Sequence, residues 1–269
     1  MIRIVWDLGW SEFRLKYRGS VLGYFWSLAA PMAKFVIFLY VFQVIFPVDI
    51  PGYPLYLFLG IILWEYFANI TMACIGVPLT YEHIIQNVAF PRFLLVLTVG
   101  WLQTIIFLTH VLIFVFMSLF MGPPSVRGLI FFPVICAQMA LLSLGIGSFL
   151  ASYSLRYRDF SHMWNIVLQI LFWLTPVAYG HAIRAPAAVE FFGVLSSPGK
   201  LLGWEALTVF VRFQPLSLII FDARRALLPI GEAMPTFMHS IVLTALCGAI
   251  FLGGNFIFRR RSRHFLQEY

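Results

Sequence analysis

Charge is what this chain has least of. Asp, Glu, Lys and Arg make up 11% of it, where an ordinary soluble domain carries roughly a quarter. With 61% hydrophobic residues and a mean hydropathy of +0.91, no soluble fold could hide the apolar surface, so lipid must be its solvent over much of its length. Cysteine is scarce too: Cys74, Cys136 and Cys247 lie far apart in apolar stretches, without a C-x-x-C, which excludes a disulfide framework and a zinc site. Catalytic and nucleotide-binding motifs are missing. There is no G-x-x-x-x-G-K-[ST], since Pro198-Gly199-Lys200-Leu201 lacks both the first glycine and the hydroxyl residue. Nor is there a G-x-S-x-G, H-E-x-x-H or G-x-G-x-x-G, and the six histidines are scattered. No catalytic centre, metal site or bound cofactor is expected. If ATP drives this protein, ATP and Mg2+ bind another chain.

The net charge of +7 does not point to nucleic acid. The basic residues sit at the ends of apolar runs, where membrane topology would put them. Six runs, at about 24–46, 54–77, 93–120, 129–152, 162–180 and 236–258, meet the requirement of about 20 residues to cross a hydrocarbon core. They lack strand alternation, so all six are expected to be helices of one membrane domain spanning 1–269. Arg3, Arg14, Lys16, Arg18, Arg92, Arg156, Arg158, Arg259, Arg260, Arg261 and Arg263 fall on one side, whereas the loops near 47–53 and 121–128 carry only Arg127. That asymmetry predicts cytoplasmic termini. Residues 181–235 hold short apolar runs interrupted by Glu205, Arg212, Gln214 and Pro215. They read as an extracellular segment that either lies on the outer interface or, the favoured reading, dips in and returns as a re-entrant gate hairpin between spans five and six.

Three local features stand out. The leader, residues 1–20, has Trp6, Trp10, Phe13 and Tyr17 at spacings of three and four, which predicts an amphipathic helix over about Ile4–Tyr17 in the interface. The connection 79–92 reads either as a solvated loop or as a docking segment, with Tyr81 and Phe90 beside Glu82 and Arg92. Asp159 is positioned to cap the helix that follows it. Lys34 and Glu65 are charges inside apolar runs. A lysine there costs about 2.5–3.5 kcal/mol and must face water or a partner, or snorkel. Small residues form ridges at Ser143, Gly147 and Ala151 and at Ala245, Ala249 and Gly253, suited to close helix packing.

The opening K-Y-R-G-S-V-L-G-Y-F-W-S-L-A-A-P, A-F-P-R at 89–92, R-D-F at 158–160 and L-Q-I-L-F-W-L-T-P-V at 168–177 together resemble permease subunits of type-2 ABC exporters for lipid-linked polysaccharides. That family serves O-antigen, capsule and wall teichoic acid export. The resemblance covers nearly the whole chain, in order and spacing. It departs at Gln214-Pro215, where the family usually has Asn-Pro, and in the length of 181–235.

The resemblance implies a homodimer with a channel between protomers and two separate nucleotide-binding subunits. It also implies a multi-pass protein of the inner membrane that exports an undecaprenyl-pyrophosphate-linked polysaccharide, O-antigen first, with capsule or teichoic acid as alternatives. The segment 79–92 would couple to the ATPase through Tyr81, Glu82, His83, Asn87, Phe90, Pro91 and Arg92. Arg14, Lys16, Arg18 and Lys34 would meet the lipid pyrophosphate, since phosphate attracts Lys and Arg; the three leader residues would equally serve to bind anionic lipid and set topology. Sugar rings stack on aromatic faces, which makes Tyr40, Phe42, Trp64 and Phe67 candidates for a channel wall, although aromatics also gather at membrane interfaces without a ligand. The competing class, an integral-membrane glycosyl or acyl transferase, needs a clustered acid–base pair or nucleophile that the sequence lacks.

Overall fold

Proline and glycine set several helix boundaries. The computed structural model describes residues 2–19, 23–81, 93–154, 157, 159–179, 213–228 and 235–264. Among them are eight α-helices and no strand: α1 (Ile2–Tyr17), α2 (Phe25–Tyr40), α3 (Tyr53–Thr80), α4 (Phe93–Met121), α5 (Val126–Ser154), α6 (Phe160–Leu174), α7 (Pro215–Leu227) and α8 (Phe237–His264). After Tyr40, α2 widens into a π turn over Val41–Ile45. Gly52, at φ 66°, turns the chain through the left-handed region, and Pro54 preorganises the first turn of α3.

Five helices are long and apolar enough to cross a membrane: Phe25–Ile45, Tyr53–Thr80, Phe93–Met121, Val126–Ser154 and Phe237–Ser262. They fall on five of the six expected runs. The sixth run forms only α6, with 15 residues, about 22 Å at 1.5 Å per residue and short of a ~30 Å core. The cause is local. Thr175, ahead of Pro176, turns extended at ψ 133°, because proline bars helical geometry in its predecessor and offers no N–H to continue the ladder. Asp159 occupies the N-cap of α6, yet its side chain makes no capping bond. Its backbone carbonyl, instead, accepts from His162 and Met163. Of the expected extracellular segment, 181–212 and 229–234 lie outside the described residues; α7 is its described helix.

The core is built around α3, which is buried along most of its length, with α4 and α5 packed on it and α8 packed on α5. The first small-residue ridge works as expected within the protomer. Ser143, Gly147 and Ala151 are buried, and a Cβ on Gly147 would stand 2.7 Å from Cys74 Sγ of α3. The second ridge does not. Ala245, Ala249 and Gly253 face outward, and Gly254 meets the Gly145 backbone of α5. The packed seam of α8 runs through Leu243, Cys247, Gly254 and Phe258, a mix of large and small residues that a search for small-residue spacing passes over. The three cysteines are free thiols, Cys74 and Cys247 buried.

Candidate functional site

Two exposed helices, α2 and α6, flank the buried α3, and their aromatic residues interlock. Phe38 of α2 stacks on Phe172 of α6 at 5.4 Å between ring centroids, and Trp173 stands edge-on to Phe38 at 6.2 Å. Trp64 of α3 meets Phe172 at 5.4 Å and Phe67 at 6.0 Å. Of the four expected channel aromatics, Phe42, Trp64 and Phe67 are buried inside the protomer as part of this wall. Only Tyr40 is exposed. The exposed ring on the α6 side is Trp173, which the sequence reading did not single out for the wall.

Lys34 is not isolated in its span. It forms an ion pair with Glu65 of α3, and its ammonium lies 5.7 Å from the Phe172 ring centroid. Glu65 also accepts a long hydrogen bond from Asn69 Nδ2 at 3.4 Å. The two intramembrane charges noted in the sequence therefore neutralise each other, which removes most of the insertion cost of each.

Another element escaped sequence reasoning. His162, Asn165 and Gln169 are exposed on α6, and their spacing of three and four residues puts them in one stripe with Trp173. Hydropathy averaging over a 20-residue window hides such a stripe, although the 162/165/169 spacing was available to find it. Polar side chains on an otherwise apolar helix are costly against lipid, so the stripe should face water or protein.

The end of α6 is clamped by a fully buried cation. Arg224 of α7 donates from Nη1 to the Pro176 carbonyl at 2.6 Å and from Nη2 to the Val177 carbonyl at 2.6 Å. Its Nε and Nη2 each reach the Tyr56 carbonyl at 3.2 Å, and the guanidinium lies 3.5 Å from the Tyr56 ring centroid. Carbonyl oxygens and a π face satisfy the charge. Gln214, the residue that departs from the family pattern, joins the same clamp, with Nε2 donating to Thr175 Oγ1 at 3.0 Å and Ser217 Oγ at 2.6 Å. Tyr53 adds a hydrogen bond from its hydroxyl to the Ala178 carbonyl at 2.7 Å.

At the opposite end of α3, Tyr81 is buried. Burial holds its phenol well above the ordinary value, and the neighbouring Glu12 carboxylate, which accepts its hydrogen bond, adds to the shift. The first of the named residues of the expected coupling segment is thereby tied to the leader helix. The others, Glu82, His83, Asn87, Phe90, Pro91 and Arg92, lie outside the described residues. The leader folds as the expected helix, α1, and packs on α4, where Trp6 meets Trp101 at 4.8 Å and Gly9 abuts the same indole. Arg14 and Arg18 are exposed, Arg14 lying 5.7 Å from the Trp10 ring centroid. Lys16 falls within α1.

A family model described as "ABC-2 type transporter" matches residues 4–186. Two O-antigen export system permease proteins RfbA of Klebsiella pneumoniae are 27% and 25% identical to this chain over 169 residues. A protein of the same name from Myxococcus xanthus is 24% identical over 168. Each alignment covers 62% of this chain and 65% of the relative, just under two thirds of the relatives' own length.

Proposed function

The chain belongs to the ABC-2 type transporter family, and from that membership we propose that it is the membrane permease of an ATP-driven exporter that carries an undecaprenyl-pyrophosphate-linked polysaccharide, O-antigen, across the inner membrane. The relatives' common name, O-antigen export permease, supports the substrate class. The observation that carries the transport reading is the α6 stripe of His162, Asn165 and Gln169, exposed beside the aromatic wall of α2 and α6. In a homodimer that apposes these faces, the stripe and Trp173 would line a wet conduit, offering hydrogen bonds to sugar hydroxyls and a flat face to sugar rings. Tyr40 would extend that surface, while Phe42, Trp64 and Phe67 would brace it from behind.

In this reading both termini are cytoplasmic and α6 is the sixth, shortened span. The leader lies along the inner interface, where Arg14, Lys16 and Arg18 attract the lipid pyrophosphate; Lys34, already paired with Glu65, serves the wall instead. Residues 79–92 dock on a separate nucleotide-binding subunit, one per protomer, and residues 181–235 form the extracellular gate. ATP-driven closure of those subunits moves 79–92, and the Tyr81–Glu12 bond passes that movement to the leader.

The test is reconstitution. Purified alone, the chain should hydrolyse no ATP. Co-expressed with the nucleotide-binding subunit encoded beside it, it should co-purify as a complex whose ATPase rate responds to lipid-linked O-antigen. A complex indifferent to the glycan lipid, or a chain that retains no nucleotide-binding partner, refutes the proposal.

A further inference from the structure

On the α4 side of α2, away from the aromatic wall, a cleft of about 400 Å3 opens between α2, α3 and α4. That volume falls in the roughly 300–1,000 Å3 range of small-molecule sites. Its polar lining comes from Glu65 and Asn69 of α3, Gln103 and His110 of α4, and Ser27 of α2, with Trp26 on the α2 flank. Pro31 lies in the lining. Proline has no N–H, so position 31 gives no hydrogen bond to the Ser27 carbonyl one turn earlier. His110 Nε2 donates to that carbonyl at 3.1 Å, while the Tyr24 hydroxyl pairs with Thr109.

The lining selects its ligand by elimination. No Lys or Arg lines the cleft, the His110 Nε2 hydrogen is already given to a carbonyl, and the Glu65 carboxylate is neutralised by Lys34. An anion would find no cation in the lining to pair with it. An acyl chain would leave polar groups without partners, notably the Gln103 carboxamide, which hydrogen-bonds none of the described residues. A cation would find Glu65 already occupied by Lys34. What remains is a neutral ligand with both hydroxyl groups and an apolar face. The carboxamides of Gln103 and Asn69 can donate and accept, Glu65 Oε2 can accept, and the indole of Trp26, 61% exposed, offers a flat face.

We infer that the cleft between α2, α3 and α4 binds a neutral, hydroxyl-rich sugar ring. The ring would arrive on a glycan chain or on the headgroup of a glycolipid. The site stands on its own lining, independent of the export reading and on a different flank of α2 from the stripe of α6.

Binding is measured on the full chain in phosphatidylcholine nanodiscs, without nucleotide-binding subunit or transport, so that failure of the export reading leaves the result intact. The probes are radiolabelled octyl β-glucoside and octyl β-galactoside, with octyl phosphate as competitor. At least one glycoside should bind saturably and resist octyl phosphate. Gln103→Leu should weaken binding about tenfold, the loss expected for one hydrogen-bonding group left without its partner. Trp26→Leu, on an exposed side chain that folding does not need, should weaken it as well and serves if Gln103→Leu fails to fold. Saturable binding of neither glycoside, wild-type affinity in both variants, or equal competition by octyl phosphate overturns the proposal. Methyl glycosides separate the sources. Competition by them supports a site that reads the ring alone, as on a glycan, and saturable octyl glycoside binding without it supports a glycolipid site.

Discussion

His110 on α4 donates a hydrogen bond from Nε2 to the carbonyl of Ser27 on α2 at 3.1 Å, the acceptor that Pro31, lacking an N–H, does not serve. The proline turn of one span is thus bonded by a side chain 83 residues away.

That bond can be tested by a double-mutant cycle. His110→Ala should destabilise the protein by about 1 kcal/mol, because it removes a hydrogen bond to a half-buried carbonyl. Pro31→Ala supplies an N–H at position 31, so in the His110→Ala background it should recover much of the loss. Additive effects on the unfolding midpoint would show that the two residues do not share this carbonyl.

Lys34→Met and Glu65→Gln should behave the same way. Each single change strands a partner inside the membrane, and the double change strands none. The Lys34 side chain is 38% exposed, so the coupling should be modest, about 1 kcal/mol. Independent effects on thermal stability in nanodiscs would count against the pair.

Arg224 should tolerate no replacement. In Arg224→Lys a single ammonium cannot reach the carbonyls of Tyr56, Pro176 and Val177 together, and a loss of about 3 kcal/mol is expected. Gly60→Ala should be comparably harmful, since its Cβ would collide with Arg224 Nη2 and stand 2.7 Å from the Val177 carbonyl. The smaller lysine relieves that collision, so Gly60→Ala should cost less in the Arg224→Lys background. Equal costs in both backgrounds would refute the steric account.

Tyr81 carries a pH dependence. Its phenol is raised above the ordinary 10.0, by burial first and by Glu12 second. The unfolded chain releases this proton as the pH passes about 10 while the folded chain keeps it, so stability is intact below that pH and falls as the pH rises further. Tyr81→Phe should lose about 1 kcal/mol at neutral pH and decline less steeply than wild type between pH 9 and about 11. Parallel pH curves of the unfolding midpoint would contradict this.

The α6 stripe should matter for transport and not for folding. Asn165→Leu and Gln169→Leu replace exposed amides with apolar groups, so yield and melting behaviour should hold or improve. Export of surface polysaccharide should fall severalfold. Undiminished export in the double variant would remove the stripe from the conduit.

Membrane residence, the helical class and five spanning helices were legible in the sequence, because each depends on hydropathy summed over neighbouring residues. The shortening of α6 was written there too, in Thr175-Pro176, since proline acts on its immediate neighbours. The tertiary structure alone decided which face of each helix is used. Trp64 and Phe67 went inward while Trp173 stayed exposed, and the α8 seam ran through Gly254 instead of Gly253, because helix rotation is set by packing across the whole bundle. It alone also decided the partners of the buried polar groups. Lys34 finds Glu65 31 residues away, and Arg224 finds the Tyr56 carbonyl 168 residues away. A buried charge demands a partner by its chemistry, but only the assembled helices determine which groups come within reach.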